Sequence, residues 1–257
     1  MTDRFDFPQN KILGLGIHAA TMDQALDAID AAIQAKQRLM IGVVNAAKIV
    51  NMRKNKELWD DVSGSDLVLA DGMSVVHASR ILRAALPERV AGIDLMTGIL
   101  ERGNHAGYRV YCLGATEEVS QTVEKRFRES YPGVQIVGRR NGYFNDDEEE
   151  AIAQDIAKRD VDVLFVAITS PKKERFMAKF SDQLNTTVVH GVGGSFDVVA
   201  GKVERAPDVW QRMGLEWLYR VKQEPGRLWK RYLVTNLAFM RMVGAAWFRG
   251  LGRGLQS

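Results

Sequence analysis

Short apolar runs alternate along the chain with longer stretches in which apolar residues recur every three or four positions. KILGLGI reads as a strand, and TMDQALDAIDAAIQAK as an amphipathic helix capped by Thr21. RLMIGVV predicts a buried strand, AAKIVNMRKNKELWDDV a helix, SDLVLA a strand and GMSVVHASRILRAAL a helix. GIDLMTGILERGN is helical, YRVYCLG a strand, TEEVSQTVEKRFRES a helix and VQIVG a short strand. DDEEEAIAQDIAKR follows as a helix with acids massed in its first turn, where the helix dipole favours them. VDVLFVAI is a strand, PKKERFMAKFSDQ a helix with proline in its first turn, and NTTVVH a last strand. Short apolar strands alternating with helices predict a Rossmann-like α/β fold: a mostly parallel sheet with helices on both faces.

In such sheets ligands sit beyond the carboxyl ends of the strands. Residues in those places are therefore candidates. Asn45 follows the second predicted strand, Asp71-Gly72 the third, and Gly114-Ala115 the fourth. Thr169-Ser170-Pro171-Lys172-Lys173-Glu174 follow the sixth, and GVGGSFDVVAGKVERAP, from Gly191 to Pro207, the last. Gly191, Gly193 and Gly194 leave bare backbone that can turn tightly and approach a phosphate. Asp71 is either a general base or a helix N-cap, and the sequence leaves the two evenly balanced. Asp94 carries the same ambiguity, with capping favoured.

Other motifs weigh less. Gly14-x-Gly16-x-x-Ala19 spells a dinucleotide fingerprint, but the acidic residue that would hold a ribose is replaced by Asn45. Asp160-Val161-Asp162 lies before a strand, at the wrong edge for a ligand. The four histidines show no metal-ligand spacing with Cys112, and no G-x-S-x-G elbow surrounds Ser74 or Ser195. Neither a metal nor another cofactor is expected.

Composition adds compartment and asymmetry. At 257 residues, 46% hydrophobic and 26% charged, the chain is ordinary for a globular protein. A single cysteine rules out an internal disulfide framework, and MTDRFDFPQN lacks the pattern of a secretory signal, so a cytoplasmic location is expected. From Val209 onward, nine Lys/Arg face two acids, and four of the five tryptophans lie there. That leaves a tail of +7 on a body of −4. The division predicted is a core over 1–207 and a basic helical appendage over 208–257. The final helix, GRLWKRYLVTNLAFMRMVGAAWFRG, is interrupted by Asn236 and Arg241 and is too polar for a confident span. Its apolar surface could lie on an anionic membrane, pack in the core, or join a second copy of the chain as a homo-oligomer. No nucleic-acid partner is expected. Arg205, Arg220, Arg227 and Arg231 are candidates for binding a diphosphate, since guanidinium forks match phosphate oxygens.

VVNAAKIV, LADGMSVVHASR, ERVAGIDL, NGYF, SPKKE, GVGGSFDVVAGKVERAP and GLEWLYRVKQEPGRLWKRY together resemble the WecG/TagA/CpsF glycosyltransferases of bacteria, from about Leu39 to Tyr232. The resemblance implies an inverting, metal-independent transfer of a sugar from a UDP-sugar to a polyprenyl-diphosphate-linked saccharide. It also implies a C-terminal appendage that completes the active site at the inner face of the plasma membrane, as in surface or exopolysaccharide synthesis. By this resemblance Asp71 is the base that deprotonates the acceptor hydroxyl. Asn45 lies beside the donor sugar, Arg89 lines the same cleft, Tyr143 and Asp197 lie near the nucleotide, and Arg220 and Arg227 neutralise the departing UDP. The glycine turn would approach the nucleotide, and Arg205 would tie that turn to the appendage.

Three positions depart from the family pattern. Val43 stands for the usual Thr, Lys173 for Gln, and Lys230, with Arg231 beside it, for a third appendage arginine. The lost hydroxyl and the added cation shift the expected donor from N-acetylmannosamine toward glucose or a uronic acid. A nicotinamide-dependent oxidoreductase and a non-catalytic membrane-attached scaffold are the competing readings.

Overall fold

A computed structural model describes residues 7–254, except for the side chains of Asp208, Arg212 and Arg227 and of residues 251–254. The first predicted strand is two. β1 (Gln9–Ile12) and β2 (Leu15–His18) form an antiparallel hairpin. Its two-residue turn, Leu13-Gly14, has positive φ at both positions, the geometry that matches strand twist. The glycines of the apparent dinucleotide fingerprint therefore belong to a hairpin, in a sheet separate from the main one.

α1 (Met22–Ala35) starts at Thr21, which with Gln24 forms a reciprocal capping box. After β3 (Leu39–Val44), the single predicted helix is split into α2 (Ala46–Met52) and α3 (Lys56–Ser63). The break is local chemistry: the Asn55 side chain accepts the Leu58 N–H at 3.0 Å and starts a new helix. β4 (Leu67–Ala70), α4 (Met73–Ile81), α5 (Gly92–Ala106) and β5 (Arg109–Gly114) follow as the pattern predicts. So do α6 (Glu117–Ser130), β6 (Gln135–Arg140) and α7 (Glu149–Ala157), the last behind a 3-10 turn over Asp146–Glu148. β7 (Val163–Ala167), α8 (Lys172–Lys179), β8 (Val188–Gly191) and the short α9 (Ser195–Val199) complete the core. The appendage holds α10 (Asp208–Arg212), α11 (Glu216–Gln223) and α12 (Pro225–Gly254).

The main sheet has six strands, all parallel, in the order β4-β3-β8-β7-β5-β6. Side chains alternate across it as a pleated strand requires. Leu39 and Ile41 face α1, α5, α6 and α9, where Phe127 meets Phe165 and Phe196 edge-on. Met40 and Val189 face α7 and α8 on the opposite side. At that side's other end, the hairpin, α2, α3, α4 and α12 cover Val44, Val68 and Ala70. Phe239 and Val243 of α12 are buried there, so the appendage shares a core with the body.

The neighbours β3 and β8 diverge. α2 leaves β3 toward one face, while α9 leaves β8 toward the other. Such a switch point opens a crevice at the carboxyl edge.

Candidate active site

The crevice is occupied by a cavity of about 270 Å³. Its floor and walls come from four strand ends. β3 supplies Val43 and leads to Asn45 and to Lys48 of α2, and β4 leads to Asp71 and Gly72. The loop after β7 leads to Lys173, and β8 contributes Gly191, Gly193 and Gly194. The appendage closes the side with Trp217, Arg220, Tyr232 and Asn236. Gly72 fits closely here: a Cβ on it would lie 3.1 Å from the Cβ of Asn45, tighter than an ordinary contact. Gly214, at φ +72°, lets the appendage backbone press against Met73, where a Cβ would come within 2.9 Å.

Asp71 is not the N-cap of the helix that follows it. Gly72 holds that position without a side-chain bond. The Asp71 carboxylate instead accepts the backbone N–H of Gly92, the first residue of α5, at 2.9 Å through Oδ1. That fixes the group on the positive end of a 15-residue helix. The other oxygen, Oδ2, receives the Asn45 amide at 3.4 Å. Asn45 is itself held in place, because its Oδ1 caps α2 by accepting the Lys48 N–H. Beneath the cavity, the fully buried His190 pairs through Nε2 with the Gly92 carbonyl at 3.0 Å. Burial, against the effect of that bond, pushes its pKa down to about 4, so the ring is neutral. His190 and Asp71 thus hold the two sides of one residue, His190 through the Gly92 carbonyl and Asp71 through the Gly92 N–H.

Lys173 and Glu174 are both buried. Glu174 accepts from Lys48 Nζ at 2.7 Å and lies 3.4 Å from Lys173 Nζ. Burial alone would raise the Glu174 carboxyl; the two ammonium groups outweigh it and hold it at about 2. Lys173 is pushed down to about 8 by burial and then by Lys48.

A second cluster stands beside the cavity. The Arg89 guanidinium pairs with Asp94 at 3.2 Å and with Glu216 of α11, a residue that lines the cavity. Arg205 pairs with Asp94 and donates to Gln211 at 3.0 Å. The expectation of a capping role for Asp94 is corrected by these bonds: its carboxylate bridges two arginines, and Ala91 is the N-cap of α5. This network ties the body to the appendage.

Of the candidate residues, the fold gathers Val43, Asn45, Asp71, Lys173, Gly191, Gly193, Gly194 and Arg220 around one cavity. Asp197 does not line it; its carboxylate lies 4.0 Å from where a Cβ on the lining Gly194 would be. Arg89, Asp94, Arg205 and Glu174 support the walls from outside. Tyr143 is elsewhere, 78% exposed in the loop after β6, three strands from β8. Lys230 and Arg231 are exposed, Arg231 stacking on Tyr232 at 5.1 Å. The Arg227 side chain lies outside the described residues. Sequence reading passed over Lys48, His190, Trp217, Tyr232 and Asn236. Lys48 stands three residues after a strand-end asparagine and His190 near the end of its own strand, a signal that strand-end bookkeeping could have caught.

The Asp160–Asp162 pair is at the opposite edge, where Asp162 accepts the Arg109 N–H at 2.8 Å. Among the described residues, no group of three or more His, Cys, Asp or Glu is arranged to hold a metal ion, and no helix is long and apolar enough to cross a membrane. The α12 face turned from the core carries Trp229, Leu233, Leu237, Met240 and Trp247, each 42–59% exposed. They recur at steps of three, four and seven, so they form one stripe, with Lys230 and Arg241 exposed along its border.

A model of the family described as "Glycosyl transferase WecG/TagA/CpsF family" matches residues 10–252. The match runs from the hairpin through α12, taking in the crevice and the appendage alike. This chain belongs to the WecG/TagA/CpsF glycosyltransferase family.

Proposed function

We propose that the chain moves a hexose-type sugar from a UDP-sugar to a polyprenyl-diphosphate-linked saccharide, with inversion and without a metal, at the inner face of the plasma membrane. The observation that carries this reading is the setting of Asp71. One carboxylate oxygen is committed to the α5 N-terminus, and the other is turned to Asn45 in a cavity lined by Lys48, Lys173 and Arg220. In a single displacement the acceptor hydroxyl oxygen bonds to the anomeric carbon, and its proton passes to Asp71. The bond from that carbon to the β-phosphate oxygen breaks, and the electron pair leaves with UDP. Proton removal by a positioned carboxylate contributes roughly 10²–10⁴-fold. Cations placed in the cavity stabilise the charge that builds on UDP. The exposed stripe of α12 and its basic border suit a helix lying in a lipid interface, where a lipid-linked acceptor is found. We further propose 1–207 as the catalytic core and 208–257 as the part that completes the site.

The test is UDP release from a panel of UDP-sugars with a short-chain synthetic lipid diphosphate saccharide, beside UDP-induced thermal stabilisation. UDP should raise Tm, and release should require the acceptor. No stabilisation by UDP together with no release would favour a scaffold instead. Val43, which lacks the hydroxyl usual at that position, predicts that UDP-N-acetylmannosamine is not the preferred donor, and a clear preference for it would overturn that inference. Release should persist in EDTA. Loss in EDTA with recovery on adding Mn²⁺ or Mg²⁺ would contradict the metal-free step.

A further inference from the structure

We propose that Lys173 holds the β-phosphate of the donor, as the inner half of a two-cation clamp whose outer half is Arg220. This rests on the nucleotide-sugar reading above. The first support is the turn between the two cations. Gly193 has φ +53°, and a Cβ built on it would lie 3.7 Å from Lys173 Nζ. A Cβ on Gly194 would lie 3.8 Å from Arg220 Nη1. The ammonium and the guanidinium therefore flank the same stretch of bare backbone. Gly191 makes room for the lysine stem, since a Cβ there would sit 3.0 Å from both Cδ and Cε of Lys173.

The second support is that Lys173 is underused by the protein. Lys48 takes the near contact with Glu174 at 2.7 Å, leaving Lys173 with 3.4 Å to the same oxygen and 3.5 Å to the Gly191 carbonyl. Lys48 and Lys173 share the one Glu174 carboxylate, leaving Lys173, buried in the cavity wall, short of full compensation. An incoming anion would supply it. The third support is the chemistry of the leaving group. Breaking the bond from the anomeric carbon places one further negative charge on the β-phosphate oxygen, and a desolvated cation there stabilises it more than an exposed one would. A carboxylate on the donor sugar is the competing anion. The position of Nζ beside the glycine turn favours the phosphate.

The experiment measures Kd for UDP and for UMP on the full chain, as wild type, Lys173→Met and Lys173→Arg. Lys173→Met should weaken UDP at least tenfold and change UMP less than threefold, while Lys173→Arg should stay within threefold of wild type for both. Glu174 keeps Lys48 as partner in the variant, and Lys173→Arg keeps the charge, so a fold defect in one leaves the other informative. Equal weakening of UDP and UMP, or no weakening of either, overturns the proposal. So does a loss confined to UDP-hexuronates with UDP unchanged, which assigns Lys173 to the sugar. Failure of the wild type to bind either nucleotide overturns the nucleotide reading and this proposal with it.

A second readout is pH. The groups facing Lys173 are Lys48 on α2, Glu174 beside it, Asp71 after β4, His190 on β8 and Arg220 on α11. With the amine titrating near 8, well below an ordinary lysine, kcat/KM should fall as pH rises through that value. In Lys173→Arg the alkaline limb should move to higher pH. An unmoved limb overturns the assignment.

Discussion

Replacing Asp71 with asparagine is expected to cut turnover by about 10²–10⁴-fold while the protein stays folded. Asparagine keeps the size of the side chain and an oxygen able to accept the Gly92 N–H, so the α5 N-terminus retains its partner. What is lost is the ability to take a proton. The effect corresponds to roughly 3–5 kcal/mol in the transition state, and it should fall on kcat rather than on donor binding. Asp71→Ala removes the acceptor as well and should add a modest loss of stability from the unpaired N–H. Steady-state UDP release, with circular dichroism and Tm as controls, measures both. A folded Asp71→Asn enzyme with a near-wild-type rate would remove this residue as the base.

Ending the chain after Ala206 is expected to abolish activity and to weaken binding to anionic vesicles. The cavity would lose Trp217, Arg220, Tyr232 and Asn236, which form one side of it. From the sequence alone, the remaining core reads as a unit that folds by itself. The packing adds a cost to that expectation. Phe239 and Val243 are buried against the cluster that contains Ile49, Val50, Val75 and Val76, and removing α12 exposes that surface. A single Phe→Ala change in such a place costs about 3–5 kcal/mol. In a domain of this size each 1 kcal/mol lowers Tm by about 2–4 °C. The truncated chain should therefore melt at least ~10 °C below the full one. Leu237→Glu with Met240→Glu separates the two roles, because these side chains are exposed while Phe239 stays in the core. Vesicle flotation should fall with Tm preserved. Full activity on a lipid-linked acceptor by the truncated chain would refute this account of the appendage.

The periodicity of apolar residues was enough to find the parallel sheet, because a buried strand and an amphipathic helix leave different spacings in the chain. It failed where local polar chemistry overrides periodicity. Asn55 divides one apparent helix, and the positive-φ pair Leu13-Gly14 folds one apparent strand into a hairpin. Strand ends are legible too, and they point to Asn45, Asp71 and the Gly191–Gly194 turn, since an α/β sheet presents its carboxyl edge to ligands.

Other features depend on contacts between segments far apart in the chain, and no local pattern records them. The sequence shows Asp71 only as a strand-end carboxylate; that it accepts the N–H of Gly92, twenty-one residues on, depends on how α5 packs against the end of β4. His190 looks like one of four scattered histidines until its ring meets the Gly92 carbonyl, ninety-eight residues away. Asp94 has the spelling of a cap but binds two arginines, one of them 111 residues distant. The sequence by itself determined which residue types stand at the strand ends, because those follow from the order of elements. Only the tertiary structure decided which of them share a cavity and which face of α12 is buried, because strand order and long-range packing set those distances.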